Sequence, residues 1–263
     1  MKEKEEAKGR ASEIEELKEE ATSNESSFGI DIEEMAKAGI HFGRRTSKAN
    51  PKMKTYLYGV RNTIHIIDLE KTKEKLVQSL LFIKNLISEN KILLLVGTKI
   101  QVKELVKDFA LACALPYINE RWLGGTFTNF GIIKKRIDYF KDLEKKKAEG
   151  ELEKYTKKER AKIDKILKDS EKKFGGIKDL EKLPDAIFVL DMKKDALAVK
   201  EARMKGIKVI GIANTNIDPT LADYPIPAND NAISSVKYIL DKAKEVILSA
   251  KLKAKSEKPQ PKT

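Results

Sequence analysis

Arg44, Arg45, Lys48, Lys52, Lys54 and Arg61 fall in a stretch, Gly39 to Ile67, that holds no Asp or Glu, although 36% of the chain is charged. Guanidinium and ammonium groups at that density suit a polyanion. His41, Phe42, Tyr56 and Tyr58 are interleaved with them. Their rings offer faces on which bases stack and groups that reach base edges. Gly43, Asn50–Pro51 and Gly59 are expected to keep much of the stretch irregular, so that its backbone can follow a phosphate surface. A solvated basic loop has no need of the aromatics. A membrane-surface segment would be an amphipathic helix, which the Pro and Gly residues oppose. The stretch therefore points to RNA.

Other chemistries find less support. The apolar run ending at Val96 is followed by Gly97-Thr98-Lys99, which is neither a dinucleotide fingerprint nor a phosphate loop ending in Gly-Lys-Ser/Thr. Gly124–Gly125 has no further glycine at dinucleotide spacing. There is no G-x-S-x-G elbow for a nucleophilic serine. His65 alternates within a strand and reads as packed. Asp68 and Asp191 follow strands and form the one arrangement for a metal- or nucleotide-dependent enzyme, the alternative reading; carboxylates so placed more often cap the next helix. Cys113 and two histidines cannot make a structural zinc site. The single cysteine excludes an internal disulfide and suits a reducing compartment. Cys113 itself lies in an apolar helical pattern and reads as core. No catalytic residue, metal, cofactor or small-molecule substrate is expected.

These residues need a frame. Asp31 with Glu34 fits a helix start, and Gly39 its end. Thr63–Leu69, Lys91–Gly97, Pro116–Asn119, Asp185–Asp191, Gly206–Ala213 and Tyr224–Pro227 read as strands. Between them, residues 72–88, 99–114 and 195–205, and a last segment from Asn229 or Asp230, show helical apolar spacing. Pro225 and Pro227 suit an edge strand. Alternating strands and helices predict an α/β fold with a doubly wound parallel sheet. An insertion over 130–176 reads as an antiparallel helical hairpin. Its seams are Ile133, Ile137, Phe140 and Leu143, and Ile163, Ile166, Leu167, Ser170 and Phe174. Thr156 and Glu159 match a capping box. The hairpin is either a solvated spacer or an arm that reaches RNA or a protein neighbour.

The chain has 263 residues and a formal net charge of +12, with 41% apolar residues to build a core. No apolar run approaches a membrane span, and the N-terminus resembles no targeting signal. A soluble, cytoplasmic protein with no membrane partner is expected. Residues 1–30 form a charged extension in which Glu outnumbers Lys and Arg, with a transient helix possible around Ser12–Ala21. Residues 31–250 form the folded domain. Residues 251–263 read as a basic, disordered tail.

In order along the chain stand AGIHFG (38–43), NPKM (50–53), IHIIDLEKT (64–72), VGTK (96–99), RWLGGTFTN (121–129), GGIKDL (175–180), LPDAIFVLD (183–191) and NTNIDP (214–219). Together they resemble the bacterial-type small-subunit ribosomal protein S-two family over about 31–248. The resemblance implies a flavodoxin-like sheet domain with a protruding helical hairpin, bound to ribosomal RNA between the head and body of the small subunit. It implies late assembly, neighbouring ribosomal proteins as partners, help in recruiting ribosomal protein S-one, and no catalysis. The candidate RNA contacts become His41, Arg44, Arg45, Lys48, Asn50, Lys52, Lys54, Tyr56, Arg61, Lys99, Arg121 and Asn129. Arg121 and Trp122 either pack or reach RNA, with Arg121 the better contact. The chain departs from the family pattern at Arg44, usually His, at Ala49, usually Trp, and at Asn214, commonly Asp.

Overall fold

A computed structural model describes residues 28–256; the N-terminal extension before Phe28, with the helix expected around residues 12–21, and the chain after Ser256 lie outside the described residues. Helix α1 (Ile32–Lys37) is capped by the Asp31 carboxylate, which accepts from the Glu33 amide at 3.1 Å. Gly39 turns the chain out at φ +74°, the left-handed exit that glycine makes without strain. Strands β1 (Phe42–Arg45), β2 (Leu57–Arg61) and β3 (Ile64–Ile67) follow and pair antiparallel in the order β1-β3-β2. Turns of 3-10 helix at Thr46–Lys48 and Pro51–Tyr56 connect β1 to β2. Asn62 and Thr63, both at positive φ, make the tight β2–β3 turn.

This corrects two expectations. The basic stretch is strand and 3-10 helix for most of its length rather than irregular, and Gly43 and Gly59 sit within strands whose register shifts nearby. Strand β3 joins this antiparallel sheet rather than the parallel one. It pairs with β2, reached through the tight Asn62–Thr63 turn, and with β1 on its other side, and Asp68 therefore does not end a strand of the large sheet.

The large sheet holds β4 (Leu93–Val96), β5 (Tyr117–Ile118), β6 (Ala186–Val189), β7 (Lys208–Ala213) and β8 (Tyr224–Pro227), all parallel, in the order β5-β4-β6-β7-β8. The proline-bearing β8 is an edge, where the two missing donors cost nothing. Helices α2 (Leu69–Ser88), α3 (Lys103–Cys113) and α7 (Ile233–Ser256) cover one face; α4 (Phe130–Ala148), α5 (Lys157–Phe174) and α6 (Ala196–Met204) cover the other. Alternation along each strand divides the core accordingly. Leu93, Leu95, Phe188, Ile210 and Ile212 point to the first face; Leu94, Val96, Ile187, Val189 and Val209 point to the second. Cys113 is buried in the first core, and burial pushes its thiol up.

Helices α4 and α5 form the hairpin. Gly150 makes the turn at φ +75°, and Thr156 and Glu159 form the capping box. Ile133, Ile137, Phe140, Leu143, Leu167 and Phe174 are buried, but Ile166 is exposed and leaves the seam. It stands three residues from Ile163 and one from Leu167, at the margin of that stripe. The hairpin's root passes through Gly176, where a side chain would overlap the carbonyl oxygen of Tyr117 on β5. At the other end, α7 runs on to Ser256, past the start expected for the tail. The Lys251 ammonium reaches back to the carbonyl oxygens of Cys113, at 2.6 Å, and Ala114. That pairs a cation with the carbonyl-rich end of α3 and anchors the last turns.

Candidate nucleic-acid interface

Doubly wound sheets bind ligands in the crevice beyond the carboxyl ends of their strands. Here that crevice is occupied by the protein's own charges. Lys99 Nζ donates to Asp191 Oδ2 at 3.0 Å, to the Asp230 carbonyl at 2.8 Å and to Asn231 Oδ1 at 2.6 Å. The Arg44 guanidinium donates to both carboxylate oxygens of Asp230, at 2.9 and 3.0 Å, and to Asn231 Oδ1 at 2.8 Å. Asn214 Nδ2 donates to Asp230 Oδ1 at 2.5 Å. Thr98 donates through its hydroxyl, at 2.7 Å, and its amide to Asp195.

Burial opposes the charge on Asp191, but hydrogen bonds from the Lys194 amide and Lys99 outweigh it, and its carboxyl sits below the usual range. Asp195 sits above that range because burial outweighs its bonds from Thr98.

Arg44 thereby fastens the antiparallel sheet to the parallel one. Its amide also donates to Thr215 Oγ1 at 2.8 Å, and the Asn50 amide donates to the Thr215 carbonyl at 2.8 Å. Gly43 permits this approach: a Cβ there would stand 2.5 Å from Thr215 Cγ2 and 2.8 Å from the His65 carbonyl oxygen.

The candidate residues consequently separate. Arg44 and Lys99 are held inside, and the Asn50 side chain caps a 3-10 turn through the Lys52 amide. Lys52 pairs with Asp218 at 2.6 Å, a bond that, with help from the Thr220 hydroxyl, pulls the Asp218 carboxyl down to about 2. Tyr56 is half-buried against the second core, and burial, reinforced by Glu74, pushes its phenol up. His41 is half-buried with its ring tilted on Phe42 at 4.0 Å; burial lowers its pKa and favours the neutral imidazole.

Arg45, Lys48, Lys54 and Arg61 are exposed and form no ion pair among the described residues. Arg45 and Arg61 are both in register with Ile64, one on each side of β3, so they form a row across the small sheet. Tyr58 joins this outer surface at 83% exposure.

The RWLGGTFTN segment also divides. Trp122 is buried and meets Phe127 edge-on at 4.8 Å, whereas Arg121 and Asn129 are exposed. The turn is held by Glu201 of α6, a residue that sequence reasoning missed. Its buried carboxylate accepts from the amides of Gly125, at 2.8 Å, and Phe127, at 2.9 Å, and more weakly from Thr128 and the Trp122 indole. Burial works against the charge, but these amides outweigh it and lower the pKa.

Asp68 and Asp191 do not make a pair. Asp68 caps α2 through the Glu70 amide at 3.0 Å, whereas Asp191 turns the chain through the amides of Lys193 and Lys194. Among the described residues no cluster of three His, Cys, Asp or Glu is placed to hold a metal, and no helix is long and apolar enough to cross a membrane.

Fold and site together define an α/β protein whose strand-end crevice is internally neutralised and whose appended antiparallel sheet, with its 3-10 turns, presents exposed cations that form no ion pair among the described residues. The family profile for ribosomal protein S2 matches residues 35–250, and the chain belongs to that family. It is 45% identical over 220 residues to the small ribosomal subunit protein uS2 of Dictyoglomus thermophilum, an alignment covering 84% of this chain and 89% of that protein.

Proposed function

We propose that the chain is a structural, non-enzymatic component of the small ribosomal subunit, and that it holds small-subunit ribosomal RNA through the outer surface of its antiparallel sheet. One observation carries the second part: among the described residues Arg45, Lys48, Lys54 and Arg61 stand exposed without ion pairs, while Arg44 and Lys99 of the same charge are neutralised within. Cations left unpaired at the surface are available to phosphates at no cost in broken internal bonds. Exposed Arg121 and Asn129 are secondary candidates.

Counted within the large sheet alone, the strand order is 2-1-3-4-5, which is the order of flavodoxin-like sheets. Such a sheet with its helical hairpin supports a seat between the head and body of the subunit. Neighbouring ribosomal proteins, ribosomal protein S-one among them, are further proposed partners. Tyr139 and Tyr155, exposed on the hairpin, are surfaces that such a contact would cover.

The test is a variant in which Arg45, Lys48, Lys54 and Arg61 are replaced by Glu. Small subunits purified from cells carrying it should lack the protein by mass spectrometry, while circular dichroism of the isolated variant stays native. Normal occupancy would overturn this RNA face.

A further inference from the structure

We propose that the cleft between the antiparallel sheet and the start of α2 is a nucleobase pocket that takes one unstacked guanine of the bound RNA. The proposal rests on the RNA reading of that sheet and deepens it. The cleft encloses about 390 Å³, within the range of small-molecule sites. His41, Tyr58, Ile66 and Leu69 are among the residues that line it.

The strand pairing explains this layout. The His41 carbonyl accepts from the Ile67 amide at 2.8 Å on one side of β3. On the other side Leu57 and Gly59, which flank Tyr58, are in register with Ile67 and Ile66. Strands on either side of a central strand lie about 9.6 Å apart. Side chains rising from the two outer strands therefore flank the surface of β3, and a flat ring set there would stack at roughly 3.5 Å. Phe42 packs against His41 from behind.

Two further observations choose the ligand. His41 Nδ1 is buried and has no hydrogen-bond partner among the described residues, so no polar bond from that atom ties the ring in place. Asp68 and Glu70, both acidic, are among the lining residues. These repel a phosphate, so the cleft is closed to the RNA backbone although cations stand nearby on the same sheet. A carboxylate accepts N–H donors, and guanine presents N1–H and the N2 amino group side by side, matching its two oxygens. Asp68 is already engaged by the Glu70 amide and by Lys71 at 3.4 Å. The Glu70 carboxylate, exposed and without a partner among the described residues, is the acceptor for the base edge. Tyr58, left at 83% exposure, becomes the stacking face.

The experiment uses assembled small subunits. A glyoxal reagent that modifies guanine at N1 and N2 is applied to subunits carrying the wild-type protein, Tyr58→Ala or Glu70→Ala, with the protein in each preparation quantified by mass spectrometry. One guanine protected by the wild type should become roughly tenfold more reactive in both variants, the size expected for losing one stacked base. Ultraviolet cross-linking of wild-type subunits should join Tyr58 to that guanine. Identical guanine reactivity in variant-bearing and wild-type subunits would overturn the pocket. So would a wild-type Tyr58 cross-link to another base, or none at all. Either result leaves the RNA face standing, because that face is judged separately by the occupancy of the four-glutamate variant.

Discussion

Arg44 and Arg45 are consecutive residues of one strand with opposite fates. Arg44 reaches Asp230, whose side chain is 3% exposed. Arg45 meets solvent and no carboxylate among the described residues. The antiparallel sheet thus has a docking side, where charge holds two sheets together, and an outer side, where it is left exposed to solvent. Cation type and spacing do not distinguish the two; only the position of the acceptors does. A positive count therefore overstates the charge exposed at the surface.

The four-glutamate variant breaks the outer side most severely. Reversing four cations is expected to cost several kcal/mol of RNA binding. It should also make the salt dependence shallower by about four units on a log–log plot, one for each phosphate contact. A filter-binding titration over salt with small-subunit RNA reads both.

Asp230→Ala attacks the docking side. It leaves Lys99 and Arg44 short of a buried partner and is expected to cost about 3 kcal/mol of folding stability, measured by urea denaturation. Gly43→Ala forces the two sheets apart at Thr215 and should cost about 2 kcal/mol. It should weaken RNA binding as well, because the outer cations then lose their fixed base; unchanged binding would show that the docking side does not support the outer one.

Lys52→Ala is the mildest. The side chain of Lys52 is 58% exposed in its pair with Asp218, so the loss should be under about 1 kcal/mol. Its pH dependence is diagnostic. The Asp218 carboxyl is lowered from 3.8 to about 2, so the pair stabilises the fold above pH 3.8 and that stability is lost as pH falls towards 2. Wild type and Lys52→Ala should differ at pH 6 and converge near pH 2 in acid titrations of stability.

The parallel sheet was legible because its strands are continuous apolar runs, and β8 because Pro225 and Pro227 admit only an edge. The small sheet was less legible. The apolar run in β3 announces a strand but not its partner, and the turn at Asn62–Thr63 lacks glycine. The docking charges were hidden by separation: Arg44 and Asp230 lie 186 residues apart. Glu201 was hidden by type, since a lone Glu in an amphipathic helix reads as a solvated face. The signal for it is the glycine turn at 124–125, whose backbone amides require an acceptor. Asn214, where the family commonly has Asp, also makes sense only in three dimensions. As an amide it donates to Asp230, whereas an Asp would add a third carboxylate beside Asp191 and Asp230.

Gly176 has a consequence at the far end of the hairpin. Because Gly176 lies directly against the carbonyl and ring of Tyr117 there, the root of the arm is held in close contact with β5. Helix α5 extends about 27 Å from it, so a tilt of about six degrees would carry the tip roughly 3 Å sideways. The hairpin behaves as a lever whose aim is set at its pivot, and a single missing methyl group is what keeps that aim true.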